Sequence, residues 1–446
     1  MRDSATTKAV IEILNEINNS RKAADRICSA YFKAHHFIGS NDRRRISECV
    51  YTILRNKAKI DWIIQQISSG IKEIKESQNT RLEVLVFYFV LQHATTRLRK
   101  EMLLGDRNFQ ELSIAEEKFF SELQKNNWLT LLNVNALPHV LAEIPEWVYS
   151  IIYNQYGLSH NLIRQCFEQP DYICLRVNTL KSSRDNIIVE LQRMGITSEV
   201  SSFSPWGIRL GYGKNISSSH IFQQGYVEVQ DEGSQIISLI TQAKPGMRVL
   251  DFCAGAGGKT MAIASMMQNK GFILATDVHN DRLQRARERM KRSGIYNVKT
   301  QILDKKCQDH FNTSTAYDIV LCDVPCSGSG TWRRNPEARW RLHEEELNRL
   351  TQLQTEIINQ AKMLVKQDGY LFYSTCSLFM QENESIINQF LLENSSFQLI
   401  TMQDWLLLNK LEFLQKLLSE DKLFLKILPH KHDMDGFFAA ILKRKC

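Results

Sequence analysis

The sequence predicts an α/β protein whose carboxyl-terminal half forms a mostly parallel sheet, preceded by a small α+β module and an all-helical domain. In the first third, apolar residues recur at helical spacing. From about residue 226, strand-like and helix-like segments alternate, as in parallel sheets with crossover helices. A chain of 446 residues also exceeds one ordinary core. We therefore divide it into residues 1–140, 141–225 and 226–446.

The helical prediction for residues 1–140 depends on two apolar stripes whose members recur at helical spacing. Further helices are expected over residues 61–67 and 82–98, and the weakly periodic residues 126–145 are interpreted as a linker. Basic side chains at 43–45 and 97–100 fit a solvated face or an RNA contact equally well. The stripes consist of Val10, Ile13, Leu14 and Ile17, and of Ile46, Val50, Ile53 and Leu54.

The middle module and the carboxyl-terminal sheet follow from β-branched, aromatic and alternating runs separated by turn residues. In the module we expect strands over 174–179, 197–200 and 208–210, and a helix over 182–194. The alternating region should begin with a strand at 227–230. Its later strands are expected at 247–251, 272–277, 316–322, 369–376 and 436–442, with helices at 260–267 and 281–293.

Composition indicates the class of protein. A hydrophobic content of 43% and a charged content of 24% are typical of soluble globular proteins, and the formal charge of +7 favours a polyanionic partner. We expect no signal peptide and no membrane span, because the most apolar run, 84–91, is too short. Ten cysteines without a Cys-x-x-Cys pair predict reduced thiols in the cytosol. No metal site is expected, because no second ligand pair has matching spacing.

A glycine-rich loop, Cys253-Ala-Gly-Ala-Gly-Gly-Lys-Thr260, follows one predicted strand and precedes a helix, where a ligand can approach the backbone closely. A P-loop would need a glycine at Cys253, and a dinucleotide fingerprint does not accommodate Lys259 and Thr260. S-adenosylmethionine needs a close backbone approach and an acid for its ribose at the end of the next strand, where Asp277 lies. The loop and the acid favour a cofactor site, although Asp277 could instead cap a helix.

Two cysteines follow predicted strands, Cys326 in Asp323-Val-Pro-Cys326 and Cys376 in Tyr373-Ser-Thr-Cys376. An isolated Pro-Cys is more often a buried cysteine beside a turn. Neighbouring strand ends, however, could bring both thiols to one pocket. Thiolate addition to C6 of cytosine activates C5 for methylation, and a second base must then remove the C5 proton. An acid near N3, such as Asp323, would stabilise the developing charge.

Several motifs in order resemble the bacterial Sun (Fmu) family of RNA cytosine-C5 methyltransferases. In the amino-terminal third, Asn41-Asp-Arg-Arg-Arg45 and Ile60-Asp-Trp-Ile63 resemble the NusB-like helical domain of that family. The likeness therefore covers nearly the whole chain. The other motifs are Arg176-Val-Asn-Thr-Leu-Lys181, Gln230-Asp-Glu-Gly-Ser-Gln235, Asp251-Phe-Cys-Ala254 with Gly257-Gly-Lys-Thr260, Asp323-Val-Pro-Cys-Ser-Gly-Ser-Gly330, Tyr373-Ser-Thr-Cys-Ser377 and Asp435-Gly-Phe-Phe-Ala-Ala440.

The resemblance implies a NusB-like RNA-binding domain over 1–140, an RRM-like module over 141–225 and a Rossmann-like S-adenosylmethionine-dependent methyltransferase domain over 226–446. It makes Cys376 the nucleophile and Cys326 the residue that assists product release, and it places Asp323 in both the catalytic and the cofactor set. The other implied cofactor contacts are Cys253, Ala254, Gly255, Ala256, Gly257, Gly258, Lys259, Asp277 and Asp304.

Two positions depend on the resemblance in different ways. Asp304, in Gln301-Ile-Leu-Asp304, would otherwise be interpreted as a loop residue. Gly255-Ala256 departs from the Ala-Pro that is usual in the family, and the loss of a fixed φ predicts a more flexible empty loop. We expect this departure to affect the affinity for the cofactor and to leave the reaction unchanged.

We therefore expect a cytosolic, monomeric enzyme that uses S-adenosylmethionine to form 5-methylcytosine in small-subunit ribosomal RNA, with a target base in a stem flipped out. Basic residues at 282–292 and 333–341 are candidates for RNA contact, and Trp332 and Trp340 lie beside and within the second stretch. An exposed helix face explains the first stretch equally well. One alternative is a DNA cytosine methyltransferase with Cys326 as nucleophile. Another is a non-catalytic RNA-binding assembly factor.

Overall fold

The computed structural model describes residues 3–71, 79–92, 113–170, 172–211, 216–303 and 316–445. The chain divides into two compact units. The helical unit comprises Met1–Glu168 and Arg334–Arg341, and the sheet unit comprises Gln169–Arg333 and Leu342–Cys446. The division into three domains stays a prediction.

The helical unit buries the apolar stripes that the sequence predicts. Val10, Ile13, Ile46 and Val50 are all inaccessible to solvent and belong to one core, so the predicted helices are confirmed. The helix predicted over 82–98 is observed up to Leu91, and residues 93–98 lie outside the described residues. The helices are Asp3–Asn19, Ala24–Ala34, Ser40–Arg55, Lys57–Ser68, Asn79–Val86 with a π-helix at Phe87–Leu91, Ile114–Leu123, Trp128–Asn135, Pro138–Ala142, Glu146–Tyr156, His160–Cys166 and Ala338–Arg341.

The interpretation of residues 126–145 as a linker is wrong, because this segment contains two helices, Trp128–Asn135 and Pro138–Ala142. The side chain of Asn127 accepts a hydrogen bond from the Thr130 N–H and so caps the first of them. Leu132 is buried in the core of the unit. A helix of eight residues makes only about two turns, too few for a 3.6-residue period to be evident in the sequence.

The sheet unit contains a small antiparallel sheet. Its strands are β1 (Tyr172–Val177), β2 (Ser198–Val200), β3 (Gly207–Gly211) and β4 (Val227–Val229), in the order β2-β3-β1-β4. The predicted strands and the helix between β1 and β2, observed as Arg184–Arg193, are confirmed. The strand predicted to open the alternating region is instead β4, which pairs antiparallel with β1. Three residues are too few to specify a pairing partner from sequence.

The large sheet has eight strands among the described residues, β5 to β12. Their order is β10-β12-β9-β8-β5-β6-β7, with β11 paired to β12. Neighbours from β9 to β7 are parallel, and the pairs that involve β12 are antiparallel, which confirms a mostly parallel sheet. The strands are β5 (Arg248–Asp251), β6 (Phe272–Asp277), β7 (Val298–Ile302), β8 (Tyr317–Asp323), β9 (Val365–Thr375), β10 (Phe397–Ile400), β11 (Leu425–Ile427) and β12 (Phe437–Arg444).

Helices of the sheet unit complete the α/β layers. Apolar side chains from the sheet and the helices form two buried clusters. None of the helices in the described part of the chain is long and apolar enough to cross a membrane. The helices are His220–Gln223, Glu232–Ile240, Gly258–Met266, Asn280–Ser293, Glu344–Ala361, Glu384–Glu393, Met402–Leu408 and Pro429–His432.

The parallel strands place three carboxylates at one edge of the sheet. Asp251 is the last residue of β5, Asp277 of β6 and Asp323 of β8. Asp323 lies beside Ser374 of β9, two residues before Cys376. This edge, outside the carboxyl ends of parallel strands, is where open α/β sheets bind ligands.

Candidate active site

The glycine loop between β5 and the helix Gly258–Met266 is a tight turn held by backbone bonds. The Ala254 N–H donates to the Thr276 carbonyl at 2.8 Å, and the Gly257 N–H donates to the Ala254 carbonyl at 2.9 Å. Gly257 needs its positive φ of 78°, and a Cβ there would approach Ala286 at 3.0 Å. A Cβ on Gly255, by contrast, would meet no atom within 4 Å, so this glycine borders open space that a ligand can enter.

Asp277 and Arg289 hold the loop from the side. One carboxylate oxygen of Asp277 accepts the Gly255 N–H at 2.9 Å, and the other accepts the His279 N–H at 2.8 Å. Arg289 donates to the Ala256 carbonyl at 2.7 Å and pairs with the buried carboxylate of Glu228 at 3.0 Å. The sequence-based reasoning missed Arg289, because it lies on the next helix and belongs to a run of basic residues. The expected flexibility of Gly255-Ala256 is therefore opposed by side chains outside the loop.

Asp251 forms the base of the loop. Its carboxylate accepts the Thr260 hydroxyl at 2.6 Å, and its side chain is fully buried. Burial raises the pKa of Asp251 from 3.8 to about 7, although the Thr260 hydrogen bond acts in the opposite direction. The base of the loop thus contains a carboxyl group that titrates near neutrality.

Asp323 and Lys259 form an ion pair at the edge of the sheet. Lys259 Nζ lies 2.6 Å from one oxygen of Asp323, and the Ser374 hydroxyl donates to the other at 3.0 Å. Burial acts to lower the pKa of Lys259, but the charges of Asp323 and Cys376 outweigh it, so the pKa is raised. Lys259 also lies 5.2 Å from the ring centre of Phe437 in the motif Asp435-Gly-Phe-Phe. The pair supplies a fixed positive and a fixed negative charge beside the cysteines.

Cys326 and Cys376 meet at this edge with their sulfur atoms 3.4 Å apart. Both residues are half-buried. The hydrogen bond with Cys376, burial and the charges of Cys376 and Glu382 raise the pKa of Cys326 well above its ordinary value. The prediction that the two strand ends bring both thiols to one pocket is confirmed, whereas the roles of the two thiols stay predictions.

The loop after β8 packs against the motif Asp435-Gly-Phe-Phe, which precedes and begins β12. The Gly330 N–H donates to the Cys376 carbonyl at 2.9 Å, and the Gly436 N–H donates to the Gly330 carbonyl at 2.8 Å. A Cβ on Gly330 would lie 2.2 Å from the Gly436 carbonyl oxygen. Only glycine permits this backbone contact, which fixes the Cys326 loop beside the end of β9.

The sequence-based reasoning also missed Glu382 and Asn383, which lie fully buried just after the Cys376 loop. Glu382 accepts hydrogen bonds from Ser327 and Ser377, the residues that follow the two cysteines. The local signal, Glu-Asn six and seven residues after Cys376, has no meaning until the fold brings the two cysteine loops together. Asp304 lies outside the described residues. Within the described part of the chain, no group of three or more ligating side chains could hold a metal.

The prediction of RNA contact is wrong for Trp332, Arg333 and Arg339. In the sheet unit, Trp332 is fully buried and Arg333 is nearly so, paired with Asp433 at 3.2 Å. Arg339, in the helical unit, has only 1% of its surface exposed, and burial lowers its pKa to about 10. These side chains are therefore not available to hold a nucleic-acid backbone.

Side chains of residues 337–341 instead form hydrogen bonds with backbone groups at the ends of helices within the helical unit. Glu337 accepts the Ala24 N–H, at the start of Ala24–Ala34, at 2.8 Å. Arg339 donates to the Arg55 carbonyl, at the end of Ser40–Arg55, at 2.9 Å. Arg341 donates to the Ile17 carbonyl, near the end of Asp3–Asn19, at 2.7 Å. A carboxylate at a helix start and guanidinium groups at helix ends complement the helix dipoles.

Comparisons with known family models match two stretches of the chain. Residues 238–443 match the family model described as 16S rRNA methyltransferase RsmB/F. Residues 144–217 match the model of its ferredoxin-like domain. Similarity to individual relatives extends over the whole chain. A Synechocystis sp. protein named "Probable ribosomal RNA small subunit methyltransferase B" is 30% identical over 97% of this chain and 98% of its own. The Photorhabdus laumondii ribosomal RNA small subunit methyltransferase B is 27% identical over 99% and 98%.

Solved structures agree with this similarity. The crystal structure of PH0851 superposes with a TM-score of 0.78 and 26% identity, over 100% of this chain and 99% of that one. The crystal structure of NSun6 from Pyrococcus horikoshii with SFG has a TM-score of 0.59 and 21% identity, over 68% and 99%, and is similar in fold alone. The Rossmann-like fold predicted for the large sheet is thereby confirmed.

Proposed function

The chain belongs to the RsmB/F family of 16S rRNA methyltransferases, and from this premise we propose that it methylates C5 of a cytosine in small-subunit ribosomal RNA. The observation that carries the finer part of this proposal is the 3.4 Å separation of the Cys326 and Cys376 sulfurs. A reaction that used a cysteine only as a nucleophile would need one thiol. Methylation at C5 needs a nucleophile and, after it, a base.

In the proposed reaction the Cys376 sulfur bonds to C6 of the cytosine, and the electron density displaced to C5 makes that carbon nucleophilic. S-adenosylmethionine, when bound, supplies an electrophilic methyl group. Asp323, paired with Lys259, orients the base, and the positive charge of Lys259 offsets the negative charge that develops on the ring. Cys326 then accepts the C5 proton, and the bond between C6 and the Cys376 sulfur breaks, which restores the aromatic ring and releases the product.

The contact between the two thiols supports this order of steps. Before the reaction, the hydrogen bond with Cys376 is the first cause that raises the pKa of Cys326, with burial next. When Cys376 becomes a thioether, its hydrogen bond and its charge no longer act on Cys326. Adduct formation therefore lowers the pKa of Cys326, which passes its own proton to solvent water and accepts the C5 proton as a thiolate.

The residues present fit S-adenosylmethionine. The turn has open space beside Gly255, and Asp277 lies at the end of the neighbouring strand. Cys253 to Lys259, Asp277 and Asp323 would hold the cofactor, together with Asp304. The carboxylate of Asp277, bound to the loop backbone, fixes the turn, and the charge of Lys259 keeps Asp323 aligned.

The test is methyl transfer by the purified protein from radiolabelled S-adenosylmethionine to unmodified small-subunit ribosomal RNA, followed by nucleoside mass spectrometry. We expect the label in 5-methylcytosine. In ribosomal RNA from a deletion strain, bisulfite sequencing should then show one cytosine that has become sensitive to bisulfite conversion. Label in another nucleoside, or no transfer to RNA at all, would overturn the proposal.

Two controls address the alternatives. Cytosine-containing DNA duplexes should not be methylated, and equal transfer to them would favour a DNA methyltransferase. Calorimetry should detect S-adenosylmethionine binding to the free protein. A protein that binds RNA but not this cofactor would instead be a non-catalytic assembly factor.

A further inference from the structure

Glu382 lies at the end of a short 3₁₀ turn, Met380–Glu382, and its side chain is fully buried. We propose that Glu382 is a positioning residue that holds the two cysteine loops together and keeps the Cys326 thiol in contact with the Cys376 thiol. This inference rests on the proposed function, because the contact matters only if both thiols act on one base. Glu382 would not touch the substrate itself.

One carboxylate binds the residue that follows each cysteine. Oε1 of Glu382 accepts the Ser327 N–H at 2.8 Å and the Gln354 side-chain amide at 2.9 Å. Oε2 accepts the Ser327 hydroxyl at 2.5 Å and the Ser377 hydroxyl. Four donors from three parts of the chain thus meet on two oxygen atoms, which is about the full accepting capacity of a carboxylate.

Two amides extend the same network to the other sides of the cysteines. Gln354 also donates to the Pro325 carbonyl, directly before Cys326, at 2.9 Å. Asn383 accepts the Thr375 hydroxyl at 2.5 Å and donates to the Ser377 carbonyl at 3.0 Å, on either side of Cys376. Both chain neighbours of each cysteine are therefore fixed by Glu382, Gln354 and Asn383.

A carboxylate is the group that this arrangement requires. All the groups that face its two oxygens are hydrogen-bond donors. In glutamine an NH₂ group replaces one of these acceptors. Facing the amides it would meet two donors, and facing the hydroxyls it would force both to turn their protons to other acceptors. A buried donor left without an acceptor is costly, so the loops would separate to find other partners. The thiol contact would lengthen with them.

Such a separation should act on the chemical step. Displacing a reacting group by about 1 Å costs about 100-fold in rate. The cofactor loop shares none of the Glu382 hydrogen bonds, since it is held by Asp277 and Arg289. We therefore expect kcat to fall while KM for S-adenosylmethionine stays unchanged. A merely structural defect would instead lower the folded fraction and leave kcat per folded molecule intact.

The experiment compares Glu382→Gln with Glu384→Gln in the full chain. Glu384 is the matched control, because it lies two residues away and pairs with Lys426 at 2.6 Å, outside the cysteine loops. The first readout is kcat and KM per folded molecule. The second is the rate at which diamide oxidises the Cys326 and Cys376 thiols to a disulfide, the diamide itself being reduced to the hydrazine. This rate reports how often the sulfurs are in contact.

Glu382→Gln should lower kcat by about 100-fold and should slow disulfide formation, with Glu384→Gln similar to the wild type in both. Alkylation by iodoacetamide distinguishes a change in the distance between the two thiols from a change in the pKa of Cys326. Removing the negative charge of Glu382 removes one of the causes that raise the pKa of Cys326, so Cys326 should be alkylated faster. Slower disulfide formation with faster alkylation therefore identifies a lost contact. Unchanged disulfide formation and unchanged kcat in Glu382→Gln would overturn the proposal.

Two further measurements test the proposal if Glu382→Gln does not fold or if the wild-type protein is inactive. If Glu382→Gln does not fold, Ser327→Ala and Ser377→Ala each remove one hydroxyl donor, and both should slow disulfide formation. Normal disulfide formation in both would contradict the proposal. If the wild-type protein methylates no RNA, the proposed function fails. Disulfide formation would still test whether Glu382 holds the thiols together, because it needs neither RNA nor cofactor.

Discussion

The glycine loop after β5 and the two cysteine loops after β8 and β9 lie at the same edge of one sheet but are held in different ways. Within the glycine loop, backbone groups bond to one another and glycines provide the tight turn, and Asp277 and Arg289 bind it from outside. The cysteine loops share one backbone contact through Gly330 and are otherwise joined by the buried side chains of Glu382, Gln354 and Asn383. A cofactor loop must leave space for its ligand. Two thiols that act in sequence must be kept at a fixed separation.

This difference predicts how each region fails. Damage to the cysteine loops should reduce the rate of chemistry, and damage around the glycine loop should reduce cofactor affinity. The segment 334–341, which continues the chain beyond the Cys326 loop into the helical unit, should affect stability alone. The following substitutions test this separation, from the largest expected effect to the smallest.

Cys376→Ala should abolish methyl transfer, by about 10⁴-fold or more, because the proposed reaction begins with the bond between the Cys376 sulfur and C6. Cys326→Ala should reduce turnover by about 10²–10⁴-fold and accumulate a covalent protein–RNA complex, because the adduct forms but the C5 proton is not removed. Turnover is measured by methyl transfer and the complex by denaturing gel electrophoresis. Comparable turnover in both variants would remove the distinction between nucleophile and base.

Arg339→Met should lower the free energy of unfolding of the helical unit by about 2 kcal/mol or more, because it leaves buried carbonyls at a helix end without their donor. Chemical denaturation measures this change. The control is Arg44→Met, which removes an exposed ion pair with Glu48 and should cost less than about 0.5 kcal/mol.

The same variant tests the function of the basic segment. The salt dependence of RNA affinity should be unchanged in Arg339→Met, because a buried guanidinium neutralises no phosphate. A shallower dependence, by about one unit of slope, would show that Arg339 contacts the RNA backbone after all.

Arg289→Met should raise the Kd for S-adenosylmethionine about tenfold or more, because losing a hydrogen bond from a charged group costs about 1.5–3 kcal/mol. The Ala256 carbonyl would lose its anchor, and Glu228 would lose one of its two arginine partners. Calorimetry measures Kd. Arg285→Met, on the same helix and paired at the surface with Asp281, is the control. Equal Kd values for Arg289→Met and wild type would show that the glycine loop keeps its conformation without the Arg289 side chain.

Asp251→Asn should change the pH dependence of stability. The pKa of Asp251 is raised from 3.8 to about 7, so its carboxyl form stabilises the fold fully below pH 3.8, and this stability is lost as pH rises towards 7. Asparagine does not ionise and can still accept the Thr260 hydroxyl. The Tm of the variant relative to the wild type should therefore increase between pH 4 and 7, by roughly 2–4 °C for each kcal/mol. A constant difference in Tm would show that Asp251 does not titrate in this range.

The two regions also differ in how well the sequence predicts them. Glycines, a strand before them and Asp277 after the next strand are close in sequence, so the turn could be predicted from local pattern. Arg289 was not recognised, because nothing local distinguishes it from the other arginines of its helix. Glu382 and Asn383 were missed for the same reason. Their function depends on β8 and β9 being neighbours, and sequence periodicity does not specify which strands pair.

The fold shows the same pattern. The long apolar stripes at Val10–Ile17 and Ile46–Leu54 correctly predicted helices, whereas the strands β7, β10 and β11, which have three to five residues each, were not predicted. Arg333 and Arg339 were interpreted wrongly because charge is visible in a sequence and burial is not. Arg339 and Trp332 have the composition of an RNA-binding surface, yet both are buried.

The most direct test of the two-thiol assignment is to locate the RNA on the protein. Cys326→Ala should be incubated with S-adenosylmethionine and ribosomal RNA, digested with protease and nuclease, and the peptide that carries a methylated cytidine identified by mass spectrometry. We expect the nucleotide to be attached to Cys376, and we expect the double variant Cys326→Ala with Cys376→Ala to form no complex. If Cys376→Ala still transfers the methyl group and the wild-type adduct maps to Cys326, the assignment of the two thiols is wrong.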